Sequence, residues 1–215
     1  MKESLLLAFF TLLLFLSGSR AFTPYIGEET SQVQVAHSRG GSLTQWTSQG
    51  DSLAVLRDWA SRLNCYSVTF PEGQSPGDSD GGESYRFTFP EGGFSYVITG
   101  PKEHWLVTDD GWYSVSNPSD PPASPPSLTL AKLRELAAAK GEALTWEDFS
   151  PYPCEPLGSE IYILRYPIDE NYSLIISGDL EEPPLSIRLV PEPVWNPYID
   201  VRTESIDDFL NSRIS

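Results

Sequence analysis

The stretch Tyr162–Gly178, Y-I-L-R-Y-P-I-D-E-N-Y-S-L-I-I-S-G, sets the expected fold class. Tyr162, Leu164 and Tyr166 alternate with Ile163 and Arg165. After the connection Pro167–Asn171, Tyr172, Leu174 and Ile176 alternate with Ser173, Ile175 and Ser177. A period of two is the pattern of half-buried strands, so the stretch predicts a β-hairpin. A second copy lies upstream. Tyr85–Gly100, Y-R-F-T-F-P-E-G-G-F-S-Y-V-I-T-G, aligns with it after a one-residue gap, matching Tyr85 to Tyr162, Phe89 to Tyr166, Phe94 to Tyr172 and Gly100 to Gly178. This internal repeat predicts two similar modules.

Helical spacing precedes each module. Asp51 or Ser52 caps a run that puts Leu53, Leu56, Trp59, Ala60 and Leu63 on one face. Ser127 or Thr129 opens a second run with Leu130, Leu133, Leu136 and Ala137 on one face, and Gly141 ends it. Short connections then join Tyr85–Phe89, Phe94–Thr99, His104–Thr108 and Trp112–Ser116. In the second half the hairpin is followed by Leu185–Val190 and Tyr198–Thr203. Sequential strands with short connections pair as antiparallel neighbours. The expected fold is therefore α+β: two tandem lobes, residues 51–116 and 128–215, each a helix packed on a four-stranded antiparallel meander. Asn117–Ser127, with five prolines, is read as a stiff connector. Residues 22–50, polar and without sustained period, are read as a flexible leader.

Lys2, the apolar run Leu5–Leu16 and the small-residue site Ser19-Arg20-Ala21 have the form of a secretory signal peptide spanning residues 1–21. The run is shorter than the roughly 20 residues that cross a bilayer. The expectation is thus a secreted, extracytoplasmic protein with no stable membrane insertion after cleavage. The whole chain carries a formal charge of −16. So acidic a surface repels phosphate backbones and disfavours nucleic acid as a partner. Cys65 and Cys154 are the only cysteines. Export permits a disulfide between them, and two buried free thiols are the alternative.

Trp112–Pro122, W-Y-S-V-S-N-P-S-D-P-P, and Leu144–Phe149, L-T-W-E-D-F, resemble uncharacterised secreted proteins of Gram-positive gut bacteria. The resemblance covers roughly the last 110 residues. It implies export and supplies no catalytic residue.

Chemistry has little to stand on. His37 and His104 are the only histidines, no G-x-S-x-G surrounds a serine, and neither nucleotide-binding glycine motif is present. No catalytic residue, metal ligand or cofactor is assigned. Asp78–Glu83 has oxygen ligands around glycines but departs from the calcium-loop pattern. The expected function is an exported, non-enzymatic binding or interaction protein whose partner is another protein or a glycan. The alternative is a secreted, glycosidase-like hydrolase using paired carboxylates, drawn from Glu103, Asp109, Asp110, Glu147 and Asp148. Two candidate binding features follow, the first from strand alternation and the second from position near turns and sheet ends. One is a basic patch of Arg165, Arg188 and Arg202 on the sheet face opposite the second helix; the other is the exposed aromatic pair Trp146 and Trp195.

Overall fold

The computed structural model describes residues 21–70, 82–122, 125–158 and 161–213. The signal peptide reading and most of the acidic loop Asp78–Glu83 lie outside these residues. The first half contains β1 (Ala21–Phe22), β2 (Gln32–Arg39), β3 (Ser42–Gln49), α1 (Gly50–Ser61), β4 (Cys65–Val68), β5 (Glu83–Phe89), β6 (Gly92–Gly100), β7 (Glu103–Thr108) and β8 (Gly111–Val115). Its strands form one antiparallel sheet in the order β1-β4-β8-β7-β6-β5-β2-β3. The second half contains α2 (Leu130–Lys140), two 3-10 turns (Gly141–Ala143 and Trp146–Asp148), β9 (Glu155–Pro156), β10 (Tyr162–Pro167), β11 (Tyr172–Gly178), β12 (Ser186–Pro191), β13 (Ile199–Asp200) and α3 (Ile206–Asn211). Its sheet runs β13-β12-β11-β10-β9.

This corrects the α+β expectation. The protein is mostly β, 41% strand against 20% helix, and its sheets have eight and five strands rather than four each. The largest discrepancy comes from residues 22–50. Gln32–Gln49 is a hairpin, not a flexible leader: Val33, Val35 and Trp46 are buried on its inner face among Leu53, Leu56 and Phe87. Its turn is Gly40-Gly41, both at positive φ (57° and 82°), the conformation that a two-residue hairpin turn demands and glycine accepts without strain.

The second correction concerns what covers the second sheet. α1 does lie on the inner face of the first sheet, with Trp59 against Phe87 and Tyr96. α2 contributes only Leu133 as a fully buried residue. Leu130, Leu136 and Ala137 of α2 pack on that core half-buried, as expected, and the rest of its cover comes from Leu128, Leu144, Phe149 and Tyr152 outside the helix, and from Ile206 and Phe209 of α3. Opposite them the sheet presents Tyr166, Leu174, Leu189 and Ile199 in one cross-strand row.

The two hairpins of the internal repeat face their cores alike but pair differently. Tyr85 stands opposite Tyr96, whereas its aligned partner Tyr162 stands opposite Gly178. The shorter connection in the first copy, Pro90-Glu91, shifts its register.

Each half has its own hydrophobic cluster, and Cys65 and Cys154 belong to different ones. Both are free and buried, so the disulfide reading is corrected. Each thiol fills space as a small apolar side chain would. Burial pushes both thiols up to about 11.

The segment Asn117–Pro122 packs against the first half. The Asn117 side chain accepts from Asn64 N (2.6 Å) and donates to Arg62 O (2.7 Å). Trp59 Nε1 and Tyr96 Oη both donate to Ser119 O, at 3.3 and 3.0 Å.

Candidate binding surface

Strand alternation gives the eight-stranded sheet two faces of opposite character. The inner face carries the core. The outer face displays two parallel cross-strand rows. The first, from β4 to β3, reads Val68, Trp112, Val107, Ser95, Arg86, Ala36 and Gln45; the second reads Tyr66, Ser114, Trp105, Val97, Ser84, Ser38 and Leu43. None of these fourteen residues is buried. None is acidic, and Arg86 is their single charge, although the chain holds 30 Asp and Glu.

The aromatic end of this face is orientated by local bonds. Trp105 Nε1 donates to Thr99 Oγ1 (3.1 Å), and Thr99 Oγ1 in turn lies 3.3 Å from Glu103 Oε2, to which it donates. Phe70 stands edge-on to both Trp105 and Trp112, with ring centroids 5.5 and 5.9 Å away. Tyr66 and Trp105 flank Ser114 from the two neighbouring strands. The signal for this cluster was present in the alternation: His104 and Leu106 point to the core, which sends Trp105 and Val107 outward. In β8 the same logic sends Trp112 and Ser114 outward, opposite Tyr113 and Val115.

The residues singled out from sequence sit elsewhere. Arg165, Ile175, Arg188 and Asp200 do form one row across the outer face of the second sheet, beginning at Glu155. That face is not free, because Ser173, Ile175, Ser186 and Val190 on it are buried. Two of its three arginines are also paired with carboxylates. Arg165 donates Nη1 to Glu155 (2.7 Å), and Nε and Nη2 to Glu192 (2.9 and 2.8 Å). Arg202 pairs with Asp200 and caps the carbonyls of Pro184 and Leu185. Arg188 lies 4.4 Å over the Tyr198 ring, a cation–π contact at the surface.

Trp146 is half-buried. Its Nε1 reaches the carbonyls of Asp179 and Glu182 (3.0 and 2.9 Å), and its ring packs where a side chain on Gly178 would otherwise project. It therefore fixes the turn after β11. Trp195 is 38% exposed, donates Nε1 to Glu192 Oε2 (3.0 Å), and has φ of 57°. Glu192 is the hub of this corner. Burial alone would raise its pKa, but hydrogen bonds from Ser173, Arg165 and Trp195, with the Arg165 charge, hold it below the usual carboxylate range.

Both histidines lie on the inner face of the first sheet. His37 Nε2 donates to Glu83 Oε1 (2.8 Å) and stacks on Tyr85, whose hydroxyl donates to the same oxygen (2.8 Å). His104 Nδ1 lies 2.9 Å from Tyr96 Oη. Since that hydroxyl gives its one proton to Ser119 O, Nδ1 must carry a proton and donate. The carboxylates considered for hydrolysis are spread over the chain. Glu103 holds Thr99, while Asp148 closes the capping box with Thr145 and pairs with Lys140. Among the described residues no group of three His, Cys, Asp or Glu side chains could hold a metal ion.

No family model, curated protein or solved structure matches the chain.

Proposed function

We propose that this is an exported, non-enzymatic binding protein, and that the outer face of its eight-stranded sheet is the recognition surface for an uncharged partner. One observation carries the reading: two rows across seven strands without a carboxylate, in a chain of formal charge −16. Acidic side chains keep such a protein soluble, so solubility alone favours placing them on an open sheet face. A half-exposed face bearing Tyr66, Trp105, Trp112, Val97 and Val107 instead has the composition of a surface that is covered in use. The strongly acidic remainder would repel anions from every other side.

The test compares capture from conditioned medium of the producing organism by immobilised wild type, Ser114→Glu and Arg188→Glu. Ser114→Glu sets a carboxylate between Tyr66 and Trp105 without removing a core contact, so the specifically captured species should be lost. Arg188→Glu should retain them. Equal capture by all three proteins, with melting temperatures unchanged, would defeat the assignment.

A further inference from the structure

Resting on the assignment of this face as the binding surface, we infer that its ligand is an uncharged glycan chain. Three observations converge. The first is charge: the fourteen positions hold one cation and no anion, and Glu103, the carboxylate beside Trp105 on the same face, already accepts from Thr99, which matches a neutral ligand. The second is composition. Ser38, Ser84, Ser95 and Ser114 stand between the apolar side chains, with Gln45 at the end of one row. Protein-binding surfaces are depleted in serine, because a hydroxyl in a dry interface needs a partner. A ligand covered in hydroxyls supplies such partners all along its length.

The third is the placement of the rings. Tyr66 and Trp105 are two strands apart in one row, about 9.6 Å at ordinary strand spacing. Trp112 lies on the strand between them, one pair further along. Aromatic rings set at that interval can stack beneath alternate units of an extended sugar chain, whose axial C–H groups present an apolar surface to a ring face. Ser114, between Tyr66 and Trp105, donates its proton to Tyr66 O (3.4 Å) and is placed to accept from a hydroxyl of the intervening unit. Trp105 is held in orientation by Thr99 before any ligand arrives, which reduces the ordering cost of binding.

Affinity electrophoresis of the full chain tests this, in native gels cast with hydroxyethylcellulose, galactomannan or dextran, and with carboxymethylcellulose as the anionic counterpart. Retardation is expected in at least one neutral gel and less in carboxymethylcellulose. Trp105→Ala and Ser114→Glu should each weaken it at least tenfold, with Trp195→Ala unchanged. If Trp105→Ala fails to fold, Ser114→Glu still decides. No retardation in any neutral gel, stronger retardation in carboxymethylcellulose, or retardation indifferent to both substitutions would overturn the glycan assignment. The capture experiment reads separately whether the face binds at all, so selective capture without retardation rejects the glycan and keeps the surface.

Discussion

Gln45 and Cys154 exchange both of their main-chain hydrogen bonds, N to O, at 2.7 and 2.8 Å, although they lie in different halves of the chain. Thr47 N adds a bond to Ser150 O (2.6 Å). The residue after this bridge, Glu155, begins β9, which pairs with β10. Segment 154–156 thus joins the edge of the eight-stranded sheet to the edge of the five-stranded one, and closes what would be an open edge on each.

Since the Gln45 N–H and C=O are committed to Cys154, Gln45→Pro deletes a bond between the halves and leaves the pairing with β2 intact. It should cost about 1–3 kcal/mol, the penalty for stranding the Cys154 carbonyl. At about 2–4 °C per kcal/mol the loss is visible in a thermal melt. Gln45→Ala keeps the main-chain bond and should melt close to wild type. Equal losses from the two substitutions would mean that the bridge contributes nothing of its own.

The two thiols should be inert in the folded protein. Both are buried and pushed up to about 11, so almost no thiolate exists at pH 8. A chromogenic disulfide reagent should find no fast-reacting thiol natively and two in denaturant, and a reductant should leave the melting temperature unchanged. A reductant-dependent fall in melting temperature would show a bridge after all.

Acid should loosen the Trp195 corner. The pKa of Glu192 is depressed in the fold, so its contribution is present in full above the ordinary glutamate value of about 4.3. That contribution is lost as pH falls from there through the folded value. Glu83, Asp148 and Asp200 are shifted the same way and add to the same acid limb. Glu192→Gln leaves Arg165 with one carboxylate partner and should cost about 1.5–3 kcal/mol at pH 7, with a smaller loss at pH 3. Melting curves of wild type and variant against pH check this, and a pH-independent difference would rule out Glu192 as the titrating group.

Trp146 should prove structural. Trp146→Phe removes the donor to the Asp179 and Glu182 carbonyls and should lower stability by about 1–2 kcal/mol, measured by denaturant unfolding, while leaving capture of the partner unchanged. Loss of capture at unchanged stability would return Trp146 to the binding surface.

Local structure was legible in the sequence where a single residue decides it. Thr129 caps α2 through its side chain, and Gly141 ends it. The inward faces of β6 and β11 also followed from alternation: Tyr96 and Ile98, Leu174 and Ile176 all pack on the cores. What failed was the count of strands. In Gln32–Gln49 the apolar residues are few and only Val33, Val35, Trp46 and Ser48 are buried, so the polar composition hides the alternation of Val33 and Val35. The Gly-Gly turn between its arms was the stronger signal. The arginine patch was legible in part: alternation gives the correct face for Arg165 and Arg188 but does not place Glu192, which follows β12 and bonds Arg165. Trp105 and Trp112 stand out only when the alternation of β7 and β8 is carried through to the outer face, because in sequence each looks like any aromatic strand residue.

The most direct test of the binding surface is hydroxyl-radical footprinting of the full chain with and without conditioned medium, read by mass spectrometry. Protection is expected on the peptides carrying Tyr66, Trp105 and Trp112, with Trp195, Tyr198 and Val194 oxidised equally in both conditions. Protection confined to the Trp195 corner, or no protection of Trp105 and Trp112 when partner is captured, would contradict the assignment of the outer face of the eight-stranded sheet.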